Sequence, residues 1–283
     1  MRTTIYTSLL AALPMAALAQ ERPVLANTSA VPTHYGILLT PSITPIDMFG
    51  PMDVFQGLAM AFQNLTGPMH LSIISVNSTP STTNPPMPGM DFGMALPPTI
   101  TIDEYLKAAA TNFTSIGASS TNSTCHTSTK IPGPLDVLLV PGGGGTRKDV
   151  SHEIDFVRTV YPSLKHLISV CTGSTIVARA GVLDNRRATT NKKAWAWATS
   201  FGANVSYVPH ARWVQDGNVW TSSGVSAGVD VSYAFLASVY GEEVSQWVAD
   251  VSEYTRWGNA SYDPFAERWG PLNTTALNGT AAM

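Results

Sequence analysis

Two apolar runs constrain this chain more than any other feature. One is Asp136-Val137-Leu138-Leu139-Val140-Pro141-Gly142-Gly143, and the other is Leu167-Ile168-Ser169-Val170-Cys171-Thr172-Gly173-Ser174. Each is a short β-type run that stops at once in small, flexible residues. The first ends in a glycine loop. The second ends in a cysteine, and Thr172 to Ala180 then reads as the start of a helix. A cysteine at such a strand-to-helix elbow lies over a helix N-terminus, where the helix dipole and free backbone N–H groups favour thiolate. The glycine loop can add the N–H donors that an oxyanion site needs, so Gly142 and Gly143 are candidate oxyanion or substrate-binding positions. This is the pattern of a nucleophile elbow, with cysteine where hydrolases often carry serine. The competing reading is an inert core cysteine, because cysteine is among the most buried residue types. The elbow, its small neighbours and the paired glycine loop favour the nucleophile.

The first nineteen residues read as a processing signal and not as fold. Arg2 gives a short basic region, Ile5 to Leu18 is apolar, and Ala17-Leu18-Ala19 is a small-x-small cleavage site. That is the pattern of a secretory signal peptide cut before Gln20. The stretch is too short for a membrane span, and no later run approaches the roughly twenty apolar residues a spanning helix needs. Asn-x-Ser/Thr sequons begin at Asn27, Asn64, Asn77, Asn112, Asn122, Asn204, Asn259, Asn273 and Asn278. Only 12% of residues are charged, so glycans would solubilise a surface that charge leaves bare. Loss of Arg2 with the leader moves the formal charge from −3 to −4. That balance, with no basic cluster, argues against nucleic acid and anionic membranes as partners.

Strand and helix signals alternate. Tyr35 to Thr40 and Leu71 to Val76 read as strands, and Asp47 opens a helix that runs to about Phe62. Pro80 to Pro88 is a Pro/Ser/Thr-rich loop. Asp103 to Ala110 is a short helix, and residues 111–134 form a long polar insertion. After Val140 come a helix around His152–Tyr161, the strand to Val170, the elbow helix and a helix at Ala194–Phe201. Val214 to Trp220 is a hairpin around Asp216-Gly217-Asn218, and Gly228–Tyr240 and Glu243–Tyr254 are the last helices. The alternation predicts an α/β fold with a mostly parallel sheet and helices on both faces. Ligands of such sheets bind beyond the carboxyl ends of the strands, where both the Gly142 loop and Cys171 fall. The expected organisation is a signal peptide over 1–19, an extended N-terminus over 20–33, one domain over 34–257 and a C-terminal tail over 258–283.

An ordered set of short segments resembles the ThiJ/PfpI superfamily. Ile46-Asp47-Met48-Phe49-Gly50-Pro51-Met52-Asp53-Val54-Phe55 is similar to one of its segments, Val140-Pro141-Gly142-Gly143 to its glycine loop, and Ser169 to Ser174 to its cysteine elbow. Gly181-Val182-Leu183, Arg187-Ala188-Thr189-Thr190, Asp216-Gly217-Asn218 and Ser223-Gly224-Val225-Ser226-Ala227-Gly228-Val229-Asp230 also match. The likeness spans most of residues 35–255. Within the superfamily it is nearest to isonitrile hydratases, on the cue of Asp47, where many relatives place a Glu near the cysteine, and Thr172 after the nucleophile.

The resemblance implies a flavodoxin-like sandwich of the class I glutamine amidotransferase-like kind, often a homodimer, working without a cofactor or metal on a small-molecule substrate. It also implies catalytic roles for Cys171, Asp47 and Thr172. Cys171 would attack the isonitrile carbon and Asp47 would shuttle the proton. A thioimidate-like adduct would then be hydrolysed to an N-substituted formamide. Asp47 also stands where it could merely cap a helix. After Ala188-Thr189-Thr190 this chain has Asn191, where the bacterial hydratases have a histidine. His34, His70, His126, His152, His166 and His210 lie mostly away from these motifs, so a Cys–His–Asp triad has little support. Two rival readings stay open: a redox-sensing or ligand-binding protein, and a related amidase or glyoxal-handling hydrolase. A disulfide between Cys125 and Cys171 would block the nucleophile.

Overall fold

The computed structural model describes residues 21–26, 31–113 and 131–270. The leader, Cys125, most of the polar insertion and the sequons at Asn27, Asn122, Asn273 and Asn278 lie outside them.

In chain order the elements are β1 (His34–Leu38), α1 (Pro45–Thr66), β2 (His70–Ser75), β3 (Ser81–Thr82), β4 (Ala95–Leu96), β5 (Ile100–Thr101) and α2 (Ile102–Ala110). Then come β6 (Val137–Val140), α3 (Ser151–Val160), β7 (His166–Ser169), α4 (Ser174–Arg179), β8 (Arg187–Ala188), α5 (Trp195–Ala198) and β9 (Ser206–Tyr207). The chain continues through β10 (Trp213–Asp216), β11 (Val219–Ser222), α6 (Ala227–Tyr240), α7 (Glu242–Val251) and α8 (Pro264–Trp269). Seven strands form one sheet in the order β10-β11-β7-β6-β1-β2-β5. Every pair is parallel except the β10–β11 hairpin, whose turn carries Gly217 at φ +60°. The parallel sheet with helical layers is thus the expected α/β sandwich.

The two apolar runs become adjacent central strands. β6 pairs β7 with Leu138 opposite Leu167 and Val140 opposite Ser169. Alternate side chains serve opposite faces. Val137, Leu139 and Ile168 join a core with Leu58, Phe62, Phe235 and Val248 under α1, α6 and α7. Leu138, Val140 and Leu167 join one with Tyr105, Phe156, Val157 and Ile176 under α2, α3 and α4. Both faces are covered, which is why these runs read as continuously apolar. Each such side chain contributes about 1.5–3 kcal/mol on burial. A Cβ on Gly50 would fall 2.7 Å from Val229 Cγ2, so glycine there lets α1 lie close on α6.

Three details differ from the sequence expectation. The elbow does not pass straight into an α-helix: a 3-10 turn over Cys171–Gly173 comes first, and α4 begins at Ser174. The expected Pro/Ser/Thr-rich loop contains a strand, β3, which pairs with β4. Residues 258–270, expected within the tail, pack on the domain. Asp263 and Ala266 there are each 1% exposed, and Arg212 N–H donates to Ala260 O at 2.7 Å.

Candidate active site

Cys171 follows β7 at the carboxyl end of the sheet. Its φ is +57°, a left-handed conformation that costs a non-glycine residue on the order of 1 kcal/mol or more. The surroundings hold it there. Cys171 N–H donates to Ser223 O at 3.0 Å, while Ser174 Oγ and Thr190 Oγ1 each donate to Cys171 O at 3.1 Å. The thiol is free of any disulfide and buried.

Asp47 lies in the first turn of α1 but does not cap it. Thr44 holds the cap position. The Asp47 carboxyl instead turns to the glycine loop, where Oδ2 accepts from Gly142 N–H at 3.0 Å. Gly142 O in turn accepts from Thr44 N–H at 3.0 Å. A Cβ at position 142 would fall 2.9 Å from Asp47 Oδ2 and 2.6 Å from Thr172 N. Only glycine lets the loop, the carboxyl and the elbow meet.

The electrostatics follow from burial. Asp47 is fully buried, and Oδ1 is left without a well-formed hydrogen bond. Desolvation raises its pKa to about 7, opposed by the Gly142 N–H and the Cys171 thiol. Burial, and then the neighbouring Asp47 charge, push the Cys171 thiol up to about 12. The N–H groups of Val225 and Thr172 and the Asn191 amide work in the opposite direction. The resting thiolate expected from the elbow is therefore corrected to a neutral thiol. Loss of solvent beside an acidic group outweighs a short turn's N–H groups.

Asn191 is the site residue that sequence reasoning passed over as a mere departure. Its Nδ2 donates to Cys171 Sγ at 3.1 Å. Its Oδ1 accepts from Ala194 N–H at 2.9 Å, which fixes the end of the amide that faces sulfur. The available signal was positional, since the family resemblance implied a histidine where this chain has Asn191. The histidines of the sheet offer no substitute. His34, His70 and His166 open β1, β2 and β7 at the opposite, amino end of the sheet.

The other expected site residues are near but do different work. Gly142 N–H is engaged by Asp47, and Gly143 N–H donates to Thr172 Oγ1 at 3.0 Å. Both donors are thus occupied, and the expected oxyanion pair is corrected to a brace between loop, carboxyl and elbow. Thr172 Oγ1 also accepts from Thr146 Oγ1 at 3.1 Å. The hydroxyl secures the glycine loop, and it is the backbone N–H of Thr172 that faces the sulfur. Among the described residues no group of three or more His, Cys, Asp or Glu could hold a metal ion.

An α/β sandwich with a buried thiol at a strand-to-turn elbow, facing one buried carboxyl, defines a class of cysteine-elbow proteins. The DJ-1/PfpI family profile matches residues 37–238, and the chain belongs to that family. It is similar to an isonitrile hydratase of Pseudomonas putida, with 27% identity over 221 residues covering 77% of each chain. It is also similar to the HTH-type transcriptional regulator GbdR of Pseudomonas aeruginosa, 29% identical over 126 residues. That match covers 44% of this chain and 34% of the regulator. Among solved structures, a ThiJ/PfpI family protein from Pseudomonas syringae superposes with a TM-score of 0.59 at 24% identity, covering 90% of this chain and 92% of that one. Drosophila melanogaster DJ-1beta does so with a TM-score of 0.55 at 16% identity, covering 79% and 99%. The two structures share the fold.

Proposed function

We propose that this protein is a cofactor-independent thiol enzyme that hydrates a small isonitrile to an N-substituted formamide. One observation carries the reading: a fully buried carboxyl with a pKa of about 7 sits beside a neutral thiol, whose sulfur also meets the Asn191 amide and the Val225 N–H. A group that titrates near neutrality can both take and give a proton at working pH.

The chemistry balances through that pair. Ionised Asp47 takes the Cys171 proton as sulfur bonds to the terminal isonitrile carbon, and the same proton passes to that carbon. The product is a thioimidate, with the C–N bond order lowered to two. Water then adds to the carbon and nitrogen is protonated. Collapse breaks the C–S bond, expels the formamide and returns the proton to Cys171. The net change is addition of one water. A thiolate resting beside a carboxylate would be disfavoured, so the sulfur is activated only as its proton leaves.

The likeness to the Pseudomonas putida hydratase supports this substrate class. A redox-sensing role fits less well, because sensor thiols are accessible and low in pKa, whereas Cys171 is buried and raised. We read the protein further as a secreted, glycosylated homodimer acting on a small molecule, and on neither nucleic acid nor membrane. The leader pattern and the exposure of the described sequon residues Asn64, Asn77, Asn112, Asn204 and Asn259 support secretion. N-terminal sequencing of the protein from culture medium should begin near Gln20, and an intact Met1 on a cytosolic product would exclude it. The decisive test is a panel of small isonitriles with formamide followed directly. Formamide should form with the native chain, and its absence across the panel would reject the hydratase reading.

A further inference from the structure

Cys171 is held on one side by α1 and the glycine loop, which the proposed reaction uses. On the other side, its contacts lead into the segment after α7. A ladder of backbone hydrogen bonds runs from that segment to the cysteine. Ala260 O accepts from Arg212 N–H at 2.7 Å, Arg212 O from Ser223 N–H at 2.9 Å, and Ser223 O from Cys171 N–H at 3.0 Å.

A second route runs through buried charge. Asp263 caps α8, with Oδ1 accepting from Phe265 N–H at 3.1 Å. The same carboxylate meets Arg212 Nη1 at 3.4 Å and Lys192 Nζ at 3.9 Å, with all three side chains 7% exposed or less. Each cation adjoins a contact to the sulfur. Lys192 follows Asn191, whose amide donates to Sγ. Arg212 Nη2 donates at 3.0 Å to Ser226 Oγ, next to Val225, whose N–H faces Sγ. Val225 itself sits at φ +26°, a conformation that persists only where surroundings impose it. Lys192 Nζ is also fixed by Thr189 Oγ1 at 2.7 Å and Ala211 O at 2.8 Å. Burial draws this lysine down to about 7, and Asp263 opposes that fall.

We propose that residues 258–270 form a clamp that sets the position and burial of the Cys171 thiol, with Asp263 as its positioning residue. Removing the carboxylate takes away the one that Lys192 meets and leaves Arg212 to Asp230 alone, which its Nη2 meets at 2.7 Å, so the buried charges are no longer balanced. The clamp then loosens, Asn191 and the Val225 N–H move off the sulfur, and water reaches it. The titratable group that faces the thiol directly is Asp47 of α1, and the clamp leaves it in place. The proposal rests on Cys171 being the reacting thiol of the hydratase reading. Alkylation reports the thiol without any isonitrile, so failure of that reading and failure of the clamp are separate results.

The test is Asp263→Asn in the full chain, because asparagine caps a helix about as well as aspartate and only the charge is lost. Circular dichroism sets a temperature at which the variant is fully native. There, iodoacetamide alkylation, read on the Cys171 peptide, should accelerate by about tenfold as burial is relieved. In the same protein kcat should fall roughly tenfold to a hundredfold with little change in KM, the scale expected of a slightly misplaced reacting group. A folded Asp263→Asn protein with wild-type alkylation and wild-type kcat overturns the clamp, whatever its melting temperature. Should that variant not fold, Phe265→Ala, which removes the exposed ring that lies 6.0 Å from the Arg212 guanidinium, carries the same two measurements with the same direction of change.

Discussion

Two carboxylates of this protein are almost equally buried, Asp47 at 0% and Asp263 at 1% exposure, and their surroundings could hardly differ more. Asp263 faces Arg212 and Lys192 and caps a helix. Each carboxylate keeps one oxygen with no well-formed hydrogen bond, Asp47 Oδ1 and Asp263 Oδ2, but Asp47 meets only one backbone N–H and a thiol, with no cation beside it. A buried charge with cations around it holds its surroundings in place, since removing it unbalances its partners. A buried carboxyl with no cation is held at a cost, and it titrates where a catalyst is useful. Burial alone therefore says little about what an acidic residue does. The groups around it decide.

The largest expected effect anchors the comparison at the sulfur between them. Cys171→Ala should remove turnover altogether and leave the melting temperature near wild type, because the side chain is small. Wild-type rates in that variant would exclude covalent catalysis at this position. Asp47→Asn comes next. An asparagine fits, with Oδ1 accepting from Gly142 N–H and Nδ2 toward the sulfur, yet it cannot carry the proton. Turnover should fall by about a hundredfold or more.

Stability should move the other way at Asp47. Its folded pKa of about 7 lies above its ordinary value of 3.8, so its contribution is fully present below the lower value and lost as pH rises through the upper one. Wild type should therefore lose stability between about pH 4 and 7 relative to Asp47→Asn, by a few kcal/mol at most. Melting temperatures of both proteins across that range check it. A parallel decline would break the contrast with Asp263.

The same substitution at Asp263 should reverse the pattern. Asp263→Asn should lower stability by about 3 kcal/mol, the usual cost of breaking a buried pair by removing one partner, measured by chemical denaturation at pH 7. Equal stability for the two asparagine variants would show that Asp230 suffices for Arg212, and the hydrogen bonds to Thr189 and Ala211 for Lys192. The smallest effect belongs to Thr172→Val, which deletes the hydroxyl that accepts from Gly143 and Thr146. We expect about 1 kcal/mol of stability lost and only a severalfold fall in kcat. A loss as deep as that of Asp47→Asn would return Thr172 to the reacting groups.

The sequence by itself determined the central sheet and the two sides of the site nearest to it. The runs ending at Val140 and Val170 are apolar because β6 and β7 are covered on both faces, and a local pattern of that kind survives in the order of residues. The Gly142 loop and the Cys171 elbow were legible for the same reason, each marked by its own neighbours, Pro141-Gly142-Gly143 and Cys171-Thr172-Gly173, whereas Asp47 stood out only through the family resemblance of the segment that holds Gly50-Pro51. Tertiary structure alone decided the state of the thiol and who surrounds it. An elbow predicts thiolate from its own backbone, but desolvation and the Asp47 charge come from elements far away in the chain. Asn191 looked like a departure until folding placed its amide at 3.1 Å from the sulfur. Residues 258–270 looked like a tail because they are short of apolar periodicity. Asp263 holds them through Lys192 and Arg212, and no local pattern records an ion pair between residues so distant in sequence.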